Sequence, residues 1–156
     1  MGNQKYIREM NKSDLPKVKS IIDDNHMFPS EYIDEMTVNY FNQETEDMWF
    51  IWEQEDAGII AVAYCSPERM TEGTWNLLLI AVLQQFQGYG VGSTLITFIE
   101  DKLKTLLVRV LLVETSGLPE YERTRNFYPK CGYKQVAVIP EYYASGDDKI
   151  VFCKHL

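Results

Sequence analysis

Three glycines at alternate positions, Gly88, Gly90 and Gly92, restrict the fold more than any other feature of the sequence. The apolar run from Trp75 to Leu83 before them predicts a buried central strand. The apolar spacing after them predicts an amphipathic helix from about Gly90 to Leu106. Glycines at such a junction let the backbone approach an anion closely, and the first N–H groups of the helix favour a pyrophosphate. An ordinary glycine-rich turn is the alternative interpretation.

The rest of the sequence predicts a mixed α/β domain with one strand–helix–strand crossover in the middle. Helical spacing, aromatic and β-branched runs, and turn residues mark the elements. In chain order they are a strand at Lys5 to Arg8, a helix capped by Ser13 that contains Leu15 to Ile22, a helix at Glu31 to Phe41, a hairpin of Met48 to Trp52 and Gly58 to Cys65, the central strand and helix, a strand at Leu107 to Val113, a helix at Pro119 to Lys130, and strands at Tyr133 to Ile139 and Lys149 to Lys154.

Length and composition narrow the class of protein. A chain of 156 residues fits one domain, and 46% hydrophobic residues suffice for a sizeable core. The net charge of −8 argues against general nucleic-acid binding, which needs a basic face. It is compatible with a cationic ligand and is also common among cytoplasmic proteins.

The three cysteines are odd in number, widely spaced and without a Cys-x-x-Cys pair. They argue against a disulfide framework or a structural zinc site and predict a reducing compartment. We expect the cytoplasm, because the sequence has no secretory segment and no apolar run long enough to span a membrane.

Two other phosphate-binding motifs fit the glycines less well. A P-loop requires Gly-Lys-Ser/Thr, but Ser93 follows Gly92 directly. The dinucleotide fingerprint is a closer rival, because Glu114 ends the next predicted strand about 20 residues later, where a ribose-binding acid would lie. However, Ser93 replaces its third glycine, and Leu83 to Gln87 separate the strand from the glycines.

The stretch Gln87 to Gly92 resembles the Gln/Arg-x-x-Gly-x-Gly/Ala loop of the GNAT superfamily of N-acetyltransferases, and Ile80 to Val82 resembles the strand that leads into that loop. Arg125 to Tyr133 is similar to the second signature of the family, Ala-x-x-Phe-Tyr-x-x-x-Gly-Phe. The resemblance covers nearly the whole chain, and both signatures lie within residues 75–133.

The resemblance implies one GNAT-like domain over residues 1–156. Its fold would be a mixed, mostly antiparallel central sheet of about seven strands, flanked by about four helices. Two central strands would splay apart, and acetyl-CoA would fill the gap, with no metal. The implied cofactor-binding residues are the strand residues Ile80, Ala81 and Val82, the loop residues Gln87, Gly88, Tyr89, Gly90, Val91, Gly92 and Ser93, and Asn126.

The resemblance also implies direct attack of a primary amine on the thioester, with backbone N–H groups stabilising the oxyanion. Tyr128 matches the acid that protonates the leaving thiolate, and a packing tyrosine is the alternative. Pro129 disfavours helical geometry at Tyr128. The strand from Thr74 to Leu78 lacks the carboxylate that many relatives use as a base. We predict that Glu114 acts as the base in place of that carboxylate. The alternative is that Glu114 is an exposed acid that caps the next turn.

The segment from Tyr142 to Asp148 is predicted to join the last two strands and, by resemblance, to border the acceptor pocket. Tyr142, Tyr143 and Asp147 would bind a cationic amine through cation–π and charge contacts, unless the segment is a solvated turn. A small-molecule amine is favoured, a peptide N-terminus stays open, and no nucleic acid or membrane is expected. A homodimer is compatible with the sequence. The alternative function is a non-catalytic acyl-CoA-binding regulatory module.

Overall fold

The computed structural model describes residues 6–156 and contains, in that range, seven strands and four α-helices. The strands are β1 (Ile7–Glu9), β2 (Met48–Gln54), β3 (Gly58–Pro67), β4 (Thr74–Val82), β5 (Val110–Ser116), β6 (Lys134–Ala144) and β7 (Asp147–His155). The helices are α1 (Leu15–Asp24), α2 (Tyr32–Phe41), α3 (Val91–Thr105) and α4 (Glu122–Lys130). Lys5, which we predicted to begin the first strand, lies outside the described residues.

The strands form one sheet in the order β1-β2-β3-β4-β5-β7-β6. Strands β4 and β5 pair in parallel, because helix α3 carries the chain back between them, whereas β1–β2, β2–β3, β5–β7 and β6–β7 are antiparallel. This confirms the predicted mixed, mostly antiparallel sheet. The described pairing of β4 with β5 ends at Leu77 and Val113, although β4 continues to Val82 and β5 to Ser116.

The chain divides into two compact units whose boundaries fall at the end of β3 and within β4 and α3. The first contains the described residues up to 66 together with 79–99. Helices α1 and α2 and the N-terminal strands supply its apolar core, because both helices turn an apolar stripe inward. Its buried residues are Met10, Val18, Ile21, Ile22, Ile33, Trp49, Ile51, Ile59, Val62, Leu79 and Ala81.

The second unit contains residues 67–78 and 100–156. A buried polar network holds it together around Glu100. The Tyr133 hydroxyl donates to Glu100 at 2.7 Å, and the Lys154 ammonium contacts both carboxylate oxygens at 3.0 and 3.1 Å. Lys154 also donates to the carbonyl of Cys131. Every charged atom of this network therefore has a partner, as a buried ion pair requires.

The predicted N-terminal boundaries of α1 and β5 are wrong. Ser13 is not the cap of α1 but lies inside a 3₁₀ turn, Lys12–Asp14, and Asp14 precedes the helix and accepts the backbone N–H of Asn11. Strand β5 begins at Val110 rather than Leu107, because Leu107 is 84% exposed and has a φ of 60°. An apolar run alone does not show where the chain leaves a helix.

The last two strands are longer than predicted. Strand β6 continues to Ala144 and β7 begins at Asp147, so only Ser145 and Gly146 form the connecting turn. Gly146 has a φ of 78°, which glycine adopts without strain. The segment from Tyr142 to Asp148 is therefore mostly strand, and Ala144 pairs with Asp147 after a register shift that begins beyond Ile139.

Candidate functional site

The glycine turn, residues 87–93, joins β4 to α3 after a short 3₁₀ segment. Gly88 and Gly90 have φ values of 84° and 81°, in the left-handed region that favours glycine. Gly92 lies at the second position of α3 and needs no positive φ. Two of the three glycines are thus required by backbone geometry, whereas the third keeps the first helical turn free of a side chain.

The first turn of α3 presents backbone donors. The first i→i−4 bond of the helix runs from Thr94 N to Gly90 O at 3.0 Å, so the N–H groups of Val91, Gly92 and Ser93 precede it. The Ser93 hydroxyl donates to the same Gly90 carbonyl. Three N–H groups at the positive end of a 15-residue helix form an arrangement that can bind a phosphate.

The side chain of Gln87 is directed into the protein. Its Nε2 donates to Asn25 Oδ1 at 3.0 Å and to the Val82 carbonyl at 2.9 Å, and Asn25 Nδ2 donates to that carbonyl at 3.0 Å. The backbone N–H of Gln84 also donates to Asp24 at 2.8 Å. Neither Asn25 nor Asp24 was predicted from the sequence, although two polar residues that end a helix are a signal for such anchoring.

The predicted strand residues Ile80, Ala81 and Val82 form the end of β4. Ala81 packs into the core of the first unit, and the alternation of a strand turns Ile80 to the opposite face, where it is partly exposed. Because the Val82 carbonyl already accepts two side-chain donors, that atom has little remaining capacity for a ligand.

Tyr128 lies on α4 and is 4% exposed. Its ring contacts those of Phe127, Tyr133 and Phe152 at centroid distances of 5.4, 6.1 and 5.4 Å. Burial, with a smaller contribution from Cys131, raises the pKa of its hydroxyl above the ordinary value. The hydroxyl therefore retains its proton in mildly alkaline solution, as a proton donor must.

The predicted distortion at Tyr128 is wrong, because α4 continues through Pro129 to Lys130. Packing of the tyrosine ring between aromatic neighbours outweighs the conformational preference of a residue before proline. The exposed side chain of Asn126 lies on the same helix, two residues before Tyr128.

Four side chains form what we call the carboxamide cluster: Glu68, Asn76, Glu114 and Lys149. Asn76 Nδ2 donates to Glu68 Oε1 at 2.9 Å and to Glu114 Oε1 at 2.6 Å. Lys149 Nζ forms an ion pair with Glu114 Oε2. Asn76 is 2% exposed, and its Oδ1 has no hydrogen-bond partner among residues 6–156.

Lys149 is enclosed by groups that stabilise its charge. Its side chain is 11% exposed and its ammonium lies 3.8 Å from the centre of the Tyr142 ring. Burial opposes the charge, but hydrogen bonding and attraction from Glu114 and Tyr142 outweigh burial and raise the pKa of Lys149. The cation at the Tyr142 ring in this structure is therefore Lys149 of the protein, where the sequence predicted the cationic amine of the acceptor.

The predicted residues Glu114 and Tyr142 therefore meet through a lysine that the sequence analysis did not select. Glu114 lies inside β5 rather than at its end, so it caps no turn. Tyr143 is exposed, and burial of part of its ring raises the pKa of its hydroxyl. Asp147 accepts the Ser116 hydroxyl and begins β7.

A separate shallow pocket of about 530 Å³ lies against α2 in the first unit and is lined by Phe28, Tyr32, Glu35 and Met36. Tyr32, the first residue of α2, is 53% exposed. Tyr40 on the same helix does pack, and its hydroxyl donates to the Met10 carbonyl at 3.0 Å.

Cys65 is buried, which raises the pKa of its thiol to about 12, whereas Cys131 and Cys153 are partly buried. In the described part of the chain, no group of three or more His, Cys, Asp or Glu side chains is arranged to hold a metal ion. None of the helices between residues 6 and 156 has the length and apolar character needed to cross a bilayer.

Several known proteins are similar to this chain in sequence or in fold. An uncharacterised N-acetyltransferase of Methanocaldococcus jannaschii is 24% identical over 151 residues, which cover 95% of this chain and 90% of that protein. The crystal structure of a protein from Desulfovibrio desulfuricans assigned to the GNAT acetyltransferases is 27% identical. It superposes with a TM-score of 0.87 over 96% of this chain and 97% of the other.

A third similar structure is an aminoglycoside 6'-N-acetyltransferase complexed with coenzyme A. It is 17% identical, covers 96% of each chain and has a TM-score of 0.75, so it shows a likeness of fold. The family model described as acetyltransferase (GNAT) family matches residues 15–133, which include the glycine turn and α4. The chain therefore belongs to the acetyltransferase (GNAT) family.

Proposed function

We propose that the protein transfers an acetyl group from acetyl-CoA to a primary amine by direct attack in a ternary complex. The observation that carries this proposal is the glycine turn, in which Val91, Gly92 and Ser93 present N–H groups at the start of α3. Such groups bind a diphosphate without a lysine, because the helix dipole and the N–H donors both favour negative charge. Gly88, Tyr89 and Gly90 complete the loop around the diphosphate.

The reaction needs a donor for the oxyanion and an acid for the leaving group. Backbone groups of Ile80, Ala81 and Val82 bind the pantetheine arm and polarise the thioester carbonyl, and Asn126 contacts the cofactor. Tyr128 gives its proton to the departing sulfur. Burial raises the pKa of Tyr128 and keeps its hydroxyl protonated where the amine reacts, so the proton passes only to a sulfur on which charge has already developed.

The acceptor is proposed to be a small-molecule amine. Tyr142, Tyr143 and Asp147, on the exposed β6–β7 hairpin, offer aromatic and carboxylate groups to it. We further propose that residues 1–156 act as one N-acetyltransferase domain in the cytoplasm, alone or as a homodimer. The match of the family model to parts of both compact units supports a single domain.

A non-catalytic acyl-CoA-binding module is the second candidate. It is favoured by one observation: the ion pair with Lys149 occupies Glu114, the carboxylate that we predicted as the base. Asn76 contacts the other carboxylate oxygen of Glu114, so both of its oxygens already have a partner within the protein.

The release of free thiol from acetyl-CoA separates the two candidates. The protein is incubated with acetyl-CoA and a panel of polyamines, aminoglycosides, amino acids and peptides, and amide products are identified by mass spectrometry. We expect amine-dependent release with at least one small-molecule amine. Tight binding of acetyl-CoA by calorimetry without release by any amine would instead support the regulatory module. Release that is equal without an amine would overturn both.

A further inference from the structure

The carboxamide cluster contains two carboxylates that are not equivalent. Asn76 Nδ2 donates to one oxygen of each, Glu68 Oε1 and Glu114 Oε1. The second oxygen of Glu114 is held by Lys149. Glu68, by contrast, has no cation within ion-pair distance among residues 6–156, and its side chain is partly exposed. One carboxylate is thus paired with a cation and the other is not.

The main chain fixes the position of Glu68. Its N–H donates to the Thr74 carbonyl at 2.8 Å, and its own carbonyl accepts the hydroxyl of Thr71 at 2.9 Å. These bonds close the turn between β3 and β4. Asn76 then lies opposite Leu112 in the register, and Glu114 lies two residues farther along β5 on the same face. The cluster is thus built by strand pairing and not by mobile side chains.

The orientation of the Asn76 amide supports a role for its N–H groups. Its Oδ1 is buried without a partner among the described residues, which is unfavourable. The flipped amide would turn that oxygen towards two carboxylates and would be worse. The fold therefore tolerates an unpaired oxygen in order to direct both N–H groups at Glu68 and Glu114.

We propose that Glu68, and not Glu114, receives the ammonium of the acceptor and takes its proton, and that Lys149 restricts the site to acceptors with a single positive charge. This inference rests on the proposed function. The free Glu68 Oε2 accepts a hydrogen bond from the ammonium, directly or through one water. Asn76 is a positioning residue, because it acts through Glu68.

The proton and electron changes balance with these groups. One ammonium proton passes to Glu68, and the nitrogen lone pair forms a C–N bond to the thioester carbon. The C–S bond then breaks, and its electron pair goes to sulfur, which takes a proton from Tyr128. The second nitrogen proton leaves to solvent as the amide forms. Solvent then reprotonates Tyr128 and accepts the proton of Glu68.

Lys149 sets the charge of the site, because it cancels Glu114 and leaves Glu68 as the uncompensated carboxylate of the cluster. Asp147 bonds to Ser116 on the neighbouring strand end, and Tyr142 covers Lys149 from β6. The ammonium of a singly charged amine therefore pairs with Glu68, whereas the second ammonium of a diamine would be repelled by Lys149.

The first test is Glu68→Gln, assayed with butylamine. Glutamine keeps the oxygen that accepts from Asn76 but cannot take a proton, so the fold should persist. We expect kcat/KM for butylamine to fall about 30-fold at pH 7 and only about threefold near pH 10, where the amine is largely neutral by itself. Glu72→Gln, on the exposed turn before β4, is the matched control and should change neither value.

The second test compares butylamine with 1,4-diaminobutane, which share a chain length and differ by one charge. We expect the wild type to prefer butylamine and Lys149→Gln to raise the diamine-to-monoamine ratio of kcat/KM about tenfold, because Glu114 becomes free. A wild-type preference for the diamine, or an unchanged ratio in Lys149→Gln, would overturn the assignment.

The outcomes distinguish the two proposals. If wild-type protein acetylates no amine at all, the proposed function fails and this inference fails with it. If wild-type protein acetylates butylamine and Glu68→Gln does so equally at every pH, with unchanged thermal stability and acetyl-CoA affinity, only the role of Glu68 is wrong. If other amines react but butylamine does not, the charge restriction is wrong.

Discussion

The glycine turn and the carboxamide cluster differ in what they are made of. The turn is seven consecutive residues, and its functional groups are backbone N–H groups whose direction follows from the glycine φ values and from the start of α3. The cluster is made of side chains from residue 68 to residue 149, brought together by the pairing of β4, β5 and β7. A site made of backbone is therefore encoded locally, whereas a site made of side chains depends on the register of distant strands.

The two regions also differ in how far their polar groups are already satisfied. The N–H groups that begin α3 precede the first helical hydrogen bond and are directed outwards for a ligand. In the cluster, most groups pair with one another, so its chemistry depends on the one carboxylate without a cation. Substitutions in the turn should thus change cofactor affinity, whereas substitutions in the cluster should change turnover and stability.

The largest effect is expected from a side chain on the first turn of α3. Gly92→Val places a branched group beside the N–H groups without requiring a positive φ, so the fold should persist. We expect acetyl-CoA affinity measured by calorimetry to fall more than about 100-fold, which is about 2.7 kcal/mol. Thr97→Val, on an exposed position in the second turn of the same helix, places a valine away from these N–H groups and is the control. Equal affinity of Gly92→Val and wild type would remove the turn as the diphosphate site.

A change in the second unit should affect turnover instead of affinity. Tyr128→Phe keeps the aromatic packing but removes the proton donor, and we expect kcat to fall about 100-fold with unchanged acetyl-CoA affinity. The raised pKa of Tyr128 also predicts that wild-type kcat at saturating substrates does not fall between pH 8 and 10. A fall that follows an ordinary tyrosine pKa near 10 would show that the hydroxyl is not held by burial.

The sequence predicted the locally encoded region and not the one that distant strands bring together. The strand, glycine turn and helix from residue 75 to 106 carry local signals, namely an apolar run, alternating glycines and helical spacing, and the structure contains this order of elements. Glu68 and Lys149 carry no such signal, because an acid after a strand and a lysine in a strand are usually solvated. Asn76 does carry a signal, which the interpretation of the sequence did not use: a polar residue inside an apolar run marks a buried hydrogen-bonded position.

The boundaries that failed were decided by tertiary structure. An apolar run does not show that Leu107 leaves α3 with a positive φ, and β6 continues through Tyr142 and Tyr143 to Ala144 across a register shift that follows Ile139. The predicted contact of Gln87 with the cofactor depends on a side-chain direction that no local pattern specifies. In the structure, the side chain of Gln87 instead contacts Asn25 and the Val82 carbonyl.

Gln87 either contacts the cofactor or holds the turn in place, and a double-mutant cycle separates these roles. If it acts through Asn25 and the Val82 carbonyl, Gln87→Ala and Asn25→Ala should each weaken acetyl-CoA binding about fivefold, and the double variant should be no weaker than either. Gln85→Ala, at a neighbouring exposed residue, is the control. A Gln87→Ala effect that persists in full in the Asn25→Ala background would show direct contact with the cofactor.

The smallest effect concerns the stability of the cluster. Lys149→Gln removes the ion pair with Glu114, and we expect the free energy of unfolding in urea at pH 7 to fall by about 1 kcal/mol, because the pair is largely shielded from solvent. The control is Lys134→Gln, on an exposed residue of β6.

The pH dependence of this difference has a definite sign. The pKa of Lys149 is raised on folding, so its contribution is fully present below the unfolded value of about 10.4 and is lost as the pH rises through the folded value. The stability difference between wild type and Lys149→Gln should therefore be constant from pH 7 to 9 and decline only above about pH 10.4. A difference that already disappears near pH 8 would mean that Glu114 does not hold the ammonium in its charged form, and both carboxylates of the cluster would then be free.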